Sequence, residues 1–179
     1  QAAGSMMGSG GMIVMDEDDC MVAMAQFYLG FTVEESCGKC SPCRIGNKRL
    51  FEILNKITSG KGTEEDLRKL RDLGQVIKDT SLCGLGQTSP NPVLSTLDNF
   101  YDEYVAHVTE QRCPAHQCRD LTVYYINPKK CTGCTLCAHV CPVHAIVGER
   151  KATHIIDPNI CIRCGSCLEK CRFGAIYVY

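Results

Sequence analysis

The chain has 179 residues, a formal net charge of −1 and fifteen cysteines, with no tryptophan. This length allows one or two small domains; the lack of a basic excess argues against nucleic-acid binding, and no apolar run approaches the roughly 20 residues of a membrane span. So many cysteines usually indicate a disulfide-rich secreted protein, but their spacings are those of metal ligands, which must stay reduced, so we expect a cytoplasmic protein.

The first fifteen residues are rich in glycine and have neither an initiator methionine nor the charged and apolar regions of a signal peptide. We expect a loop that leads into a short strand from Met12 to Met15. Because such a strand has no nearby partner, we interpret residues 1–15 as the tail of an upstream domain, and the chain as the C-terminal part of a longer polypeptide.

Four amphipathic helices are predicted in residues 16–108. The first places Met21, Met24, Ala25 and Tyr28 on one face, after an acidic run at 16–19 that suits a helix N-terminus. The apolar positions of the other three are Leu50, Ile53, Leu54 and Ile57; Leu67, Leu70, Leu73 and Ile77; and Val93, Leu97, Phe100, Tyr101, Tyr104 and Val108.

Two local features delimit these helices. Thr63 begins a T-x-x-D cap ahead of the third helix, and a loop with two prolines, at 90 and 92, precedes the fourth. The short loops between four such helices favour an antiparallel four-helix bundle.

Between the first two helices lies the run C-G-K-C-S-P-C, in which pairs of residues separate three cysteines. A helix hairpin would return the chain to the same end of the bundle at Cys83, forty residues on. We therefore predict a 4Fe–4S cluster here, with a structural zinc site of four cysteines as the alternative. The predicted ligands are Cys37, Cys40, Cys43 and Cys83.

Three further cysteines lie outside the iron–sulfur patterns: Cys20 before the first helix, and Cys113 and Cys118 in the segment CPAHQC. Together with a histidine they suit a closed zinc site. We favour His107, on the last helical turn, over His116, which is crowded inside the C-x4-C loop. The alternatives are an inert buried Cys20 with an exposed pair, or a disulfide.

The last fifty residues contain the pattern C-x2-C-x2-C-x3-C twice. Bacterial ferredoxins bind two 4Fe–4S clusters with this run, and the fourth cysteine of each run serves the other cluster. Short β-type stretches at 124–126 and 154–156 precede the two runs. One predicted ligand set is Cys131, Cys134, Cys137 and Cys171, and the other is Cys161, Cys164, Cys167 and Cys141. A disulfide framework and zinc knuckles are the alternatives.

The predicted fold class is α+β. The tail of the missing upstream domain occupies residues 1–15, the helical bundle with its cluster residues 16–108, a zinc-pinned linker residues 109–122, and a two-cluster ferredoxin-like domain residues 123–179. No catalytic residue is predicted within the chain.

A resemblance to a known family rests on three segments: GSGGMIVMDEDDCM, then ESCGKCSPCRIG, then SLCGLG. Together they resemble the C-terminal part of the NADH-oxidising flavoprotein subunit of respiratory complex I. The resemblance implies that preceding domains bind FMN and NADH, and that the bundle cluster takes electrons from the flavin. The appended two-cluster domain resembles instead the beta subunit of electron-bifurcating, NAD(P)-linked FeFe-hydrogenases. Those subunits share a histidine before a CPA-x-x-C loop, in keeping with His107 as a ligand.

The resemblance implies an electron relay, with three 4Fe–4S clusters and one zinc, in an NAD(P)-linked hydrogenase complex. It implies a catalytic hydrogenase subunit and a small 2Fe–2S subunit as partners, and soluble ferredoxin is a further candidate. Hydrogen activation would then occur in a partner. One alternative is the flavoprotein subunit of an NAD-dependent formate dehydrogenase. A non-enzymatic module that uses metal only for folding is the other, and redox-active iron would exclude it.

Overall fold

The computed structural model describes residues 10–179, a helix-rich mixture with few strands. The helices are α1 Met21–Glu34, α2 Asn47–Thr58, α3 Glu64–Thr80, α4 Gly84–Thr88, α5 Asn91–Asn99, α6 Tyr101–Val105, α7 Leu136–Val140 and α8 Ser166–Lys170. The strands are β1 Tyr124–Ile126, β2 Ile146–Val147, β3 Ile155–Ile156 and β4 Ile176–Val178. Single π-helical turns occupy Pro42–Gly46 and Ala106–Glu110, and a 3₁₀ turn occupies Arg119–Leu121.

The predicted strand from Met12 to Met15 is wrong. These residues are irregular and exposed, because a strand exists only where its backbone groups pair with another strand. The first nine residues of the expected upstream tail lie outside the described residues.

Helix α1 begins at a cysteine cap: the Sγ of Cys20 accepts a hydrogen bond from the backbone N–H of Ala23. The predicted face is partly wrong, because Met24 and Tyr28 are only half-buried. The buried residues are Met21, Val22, Ala25 and Leu29. Almost every residue of α1 is apolar, so periodicity alone does not select the side that packs.

Helices α2 and α3 agree with the prediction. The Leu50, Leu54 and Ile57 side chains are fully buried along α2. Helix α3 begins at a reciprocal capping box, in which the hydroxyl of Thr63 accepts the N–H of Asp66 and the Asp66 carboxylate accepts the N–H of Thr63. Lys56 Nζ of α2 lies 2.6 Å from the same carboxylate, and so fastens the two helices together.

The predicted fourth helix is interrupted. At Phe100 the backbone leaves the helical region, with φ −131° and ψ 38°, and separates α5 from α6. The break leaves Phe100 and Tyr101 exposed but turns Tyr104 into the core. The Tyr104 hydroxyl lies 2.7 Å from Thr96 Oγ1 across the break, which gives this buried phenol the partner that it needs. The two prolines lie at the start of α5 rather than in a loop.

Four helices surround the main core. Helix α1 packs on α2 and α5, and α3 also packs on α2 and α5. The same core extends to Cys113, Ala115, Cys118 and Leu121 of the segment after the helices. That segment is therefore part of the packed helical unit.

The strands of the C-terminal region form two antiparallel pairs. Strand β1 pairs with β4, with Ile126 opposite Ile176, and β2 pairs with β3, with Ile146 opposite Ile156. Both predicted β-type stretches are thus confirmed as strands, with His154 just before β3. Each pair joins one half of the repeat to the other, so the halves interlock about an approximate two-fold.

In the described part of the chain, no helix has the length and apolar character of a membrane span.

Candidate metal centres

Four buried side chains from three segments meet where the helical unit ends. They are Cys20, His107, Cys113 and Cys118, and their ligand atoms all lie within 4.8 Å of one another. Cys20 Sγ is 3.4 Å from His107 Nε2 and 3.7 Å from Cys118 Sγ, and His107 Nε2 is 3.3 Å from Cys118 Sγ. We call this group the joint site.

These distances suit one tetrahedral ion. With Zn–S bonds of about 2.3 Å and a Zn–N bond of about 2.0 Å, neighbouring ligands lie roughly 3.5–3.8 Å apart. His107 Nδ1 is 2.7 Å from the carbonyl oxygen of Glu103, which can only accept a hydrogen bond. The proton therefore stays on Nδ1 and leaves Nε2 free to bind a metal, as in many zinc sites.

The charges of the joint site also favour a cation. Burial alone would lower the pKa of His107, but hydrogen bonds with Cys113 and Cys20 raise it to about 10. Hydrogen bonds with Cys118 and Cys20 lower the pKa of Cys113. Hydrogen bonds with Cys113 and Cys20, together with burial, raise the pKa of Cys118. The protons of this buried group are therefore shared between His107 and the thiols of Cys113 and Cys118, and a divalent cation would replace them.

The other candidate histidine is placed differently. His116 is exposed and has a left-handed backbone, with φ 54°. The structure therefore groups His107, and not His116, with the three cysteines.

The π turn Pro42–Gly46 carries Cys43, whose thiol is buried and receives polar contacts. Ser36 Oγ lies 3.3 Å from Cys43 Sγ, and Asn47 Nδ2 donates to the same sulfur at 3.4 Å. Asn47 is itself fully buried, and its Oδ1 accepts the hydroxyl of Ser89 at 2.8 Å. Donors aimed at a sulfur in this way suit a metal-bound thiolate.

The remaining cysteines of this group lie around the same end of the helices. Backbone hydrogen bonds from Leu82 and Cys43 lower the pKa of Cys40, so Cys40 lies beside the residue that precedes Cys83. Cys37 and Cys83 are exposed. Position 86 beside this site accommodates only glycine, because a Cβ there would lie 2.6 Å from Ser81 Cβ and 3.1 Å from Cys43 Cβ.

Two cavities lie in the C-terminal region, and each combines cysteines of both runs. The cavity that we call the first ferredoxin site is lined by Cys131, Cys134, Cys137 and Cys171, and the second ferredoxin site by Cys141, Cys161, Cys164 and Cys167. The fourth cysteine of each run receives a matching bond: Ala145 N–H donates to Cys141 Sγ at 3.2 Å, and Ala175 N–H to Cys171 Sγ at 3.3 Å.

A buried histidine also lines the first ferredoxin site. His154 is buried and lines this cavity. Its Nδ1 lies 3.1 Å from the carbonyl of Ala152, while its Nε2 has no partner among the described residues. The carbonyl keeps the proton on Nδ1 and leaves Nε2 as an acceptor, so the fit of this cavity to an anionic cluster rests on its four cysteines, which are the ligand set of a 4Fe–4S cluster.

All fifteen cysteines are free of disulfide bonds. The alternatives that required a disulfide therefore find no support in this structure. Sequence reasoning missed one polar contributor, Asn47. The one signal for Asn47 is a polar residue one helical turn after Cys43.

Two known protein families match separate parts of the chain. Residues 23–107 match the family described as NADH-ubiquinone oxidoreductase-F iron-sulfur binding region. Residues 130–176 match the family described as 4Fe-4S dicluster domain.

Several relatives are similar over much of the chain. The NADP-reducing hydrogenase subunit HndC of Solidesulfovibrio fructosivorans is 61% identical over 98% of this chain and 36% of its own length. An NADH-quinone oxidoreductase subunit of Mycobacterium tuberculosis H37Rv is 42% identical over 63% of this chain and 25% of its own length. The chain thus spans about a third or less of these relatives.

A solved structure is also similar. The crystal structure of an NAD+-reducing [NiFe]-hydrogenase in the H2-reduced state matches with a TM-score of 0.52 and 31% identity, over 54% of this chain and 16% of that one.

Proposed function

The chain belongs, through its iron–sulfur region, to the family of NADH-oxidising subunits, and on that premise we propose that it relays electrons through three 4Fe–4S clusters in an NAD(P)H-coupled hydrogenase complex. The observation that carries the proposal is the pair of ferredoxin sites, each lined by three cysteines of one run and the fourth of the other. That exchange is the arrangement of two-cluster ferredoxins, and no single zinc ion requires it.

The helical unit would be a four-helix bundle formed by α1, α2, α3 and α5, and it would hold the third cluster. The proposed ligands of that cluster are Cys37, Cys40, Cys43 and Cys83. The buried donors Ser36 and Asn47 on one ligand sulfur, and the family match of residues 23–107, support this assignment.

The joint site would hold one zinc through Cys20, His107, Cys113 and Cys118. Its closed set of four buried ligands matches structural rather than catalytic zinc, because no position remains for water or substrate. Its role would be to fasten residues 109–122, the linker, to the helices at 16–108 and so to orient the ferredoxin-like domain at 123–179.

When bound, a 4Fe–4S cluster supplies reversible one-electron uptake. The residues of this chain contribute ligation, shielding and hydrogen bonding. The thiolates hold the iron, and the backbone N–H groups of Ala145 and Ala175 each donate to a ligand sulfur. Such donors favour the more negative, reduced state and so raise the reduction potential. The buried Ile146, Ile156 and Ile176 exclude water between the two sites.

FMN and NAD(P)H would be bound by the upstream part of the same polypeptide, and the flavin would supply electrons to the bundle cluster. A catalytic hydrogenase subunit, a small 2Fe–2S subunit and a soluble ferredoxin are the proposed partners. We favour a hydrogenase over a formate dehydrogenase, because the relative that matches 98% of this chain is named a hydrogenase subunit.

Metal analysis of the anaerobically purified chain tests the proposal. We expect about twelve iron atoms, four for each of three clusters, and about one zinc. Eight iron atoms with one zinc would contradict the proposed cluster in the helical bundle. Zinc in place of iron at the ferredoxin sites would refute the electron relay.

A further inference from the structure

The two ferredoxin sites are alike in sequence, but the linker makes them unequal. The guanidinium of Arg119, the residue after Cys118, donates to the carbonyl oxygen of Ile162 from Nε at 2.8 Å and also from Nη2. In return, Arg163 Nη1 lies 3.4 Å from Asp120 Oδ1 of the linker. The linker is therefore tied to the loop between two ligands of the second ferredoxin site.

One peptide group connects Arg119 to the sulfur of a ligand. The carbonyl of Ile162 belongs to the same peptide as the N–H of Arg163, and that N–H donates to Cys161 Sγ at 3.4 Å. A cation bound to the oxygen polarises the peptide and makes its N–H a stronger donor. The chain of bonds runs from guanidinium to carbonyl, through the amide, to the thiolate.

The first ferredoxin site has the same backbone shape without the arginine. Gly133 has φ 67° where Arg163 has φ 57°, a left-handed conformation that favours glycine. Arginine occupies this disfavoured conformation at the second site, where its ion pair with Asp120 offsets part of the cost. Among residues 10–179, no side chain donates to the carbonyl of Thr132, the counterpart of Ile162.

We propose that Arg119 is a positioning residue that raises the reduction potential of the second ferredoxin site and makes it the first of the pair to accept an electron. The inference rests on the proposed function, because it requires clusters at both sites. The positive charge and the strengthened N–H···S bond both stabilise the reduced state, so their effects have the same sign. The first ferredoxin site then lies after the second in the order of reduction.

The test is a potentiometric titration followed by EPR on the anaerobically purified full chain. Arg119→Met removes both the charge and the hydrogen bonds, and Arg119→Lys retains the charge without the bidentate geometry. Arg150→Gln is the matched control, because Arg150 is an exposed arginine of the same region. A Cys134→Ser variant, altered at the first ferredoxin site, assigns the two signals, and iron and zinc are counted in every sample.

In Arg119→Met we expect the equilibrium constant for reduction of the second site to fall about three- to tenfold, where tenfold corresponds to 59 mV for one electron. The reduction potential of the first site should not change. The potential of the second site in Arg119→Lys should lie between those of the wild type and Arg119→Met, and the metal content of all variants should be unchanged. Equal shifts at both sites, or a result that matches Arg150→Gln, would overturn the inference and leave the relay intact. A wild-type chain without two reducible clusters in this region would instead refute the proposed function itself.

Discussion

Replacement of His107 by alanine is the sharpest test of the joint site. His107 is fully buried, its Nε2 lies 3.3 and 3.4 Å from two sulfurs, and its Nδ1 is held by the Glu103 carbonyl. The substitution removes one of four proposed ligands and leaves the three cysteines in place. We expect the chain to lose zinc and to keep its iron, because the clusters have separate ligand sets.

The magnitude follows from the closed ligand set. Structural zinc sites bind with an apparent free energy of about 10–16 kcal/mol, so an equal share for one of four ligands is about 2.5–4 kcal/mol. That share corresponds to roughly 60- to 700-fold weaker binding. Truncation of a fully buried ring also leaves a cavity, which by analogy with other core truncations costs about 2–5 kcal/mol of unfolding free energy.

The assay is zinc retention under a graded chelator challenge, with thermal unfolding in parallel. His116→Asn is the matched control, because His116 is exposed and asparagine tolerates its left-handed backbone. The control should retain zinc at chelator concentrations that strip His107→Ala. If His107→Ala keeps stoichiometric zinc throughout, or if only the control loses it, the assignment of His107 is refuted.

Three further changes probe other parts of the chain. Cys134→Ala should abolish hydrogen- or ferredoxin-linked turnover of the complex but leave NADH-dependent reduction of an artificial acceptor largely intact; parallel loss of both activities would contradict this. Asn47→Leu removes the donor to Cys43 Sγ, so the equilibrium constant for reduction of the bundle cluster should fall about threefold or more in an EPR titration, and an unchanged value would argue against that role. Asp66→Asn should lower the free energy of unfolding by about 1–2 kcal/mol. Burial raises the pKa of Asp66, but hydrogen bonds from Lys56 and the Thr63 cap hold it below its usual 3.8. The stabilisation by the Asp66 carboxylate is therefore present above pH 3.8 and is lost only as the pH falls through the lower folded pKa. If thermal unfolding showed a different effect of Asp66→Asn at pH 7 and at pH 5, this reasoning would be contradicted.

The sequence could predict the elements whose signals are local. The capping box from Thr63 to Asp66 defines the start of α3, because both bonds form within one turn. The cysteine spacing predicts which residues can wrap around a cluster, since three ligands in one short loop need little help from the rest of the fold. The exchange of the fourth cysteine also follows from the repeat, and the cavities group these residues in the same way.

The joint site is an intermediate case. Elimination leaves three cysteines without an iron–sulfur pattern, and the structure brings Cys20 beside Cys118 across 98 positions of the chain. The sequence suggests the set, but only the packing of the linker into the helical core explains why these side chains meet.

Other features depend on contacts that no local pattern records. Helix α1 is apolar on nearly every side, so its neighbours decide that Leu29 packs inward and Tyr28 does not. The break at Phe100 arises where Tyr104 must reach both the core and Thr96. Two halves of similar sequence predict two equivalent cluster sites. Only the tertiary structure places Arg119 against one of them, because a hydrogen bond across 43 positions depends on where the folded linker comes to lie.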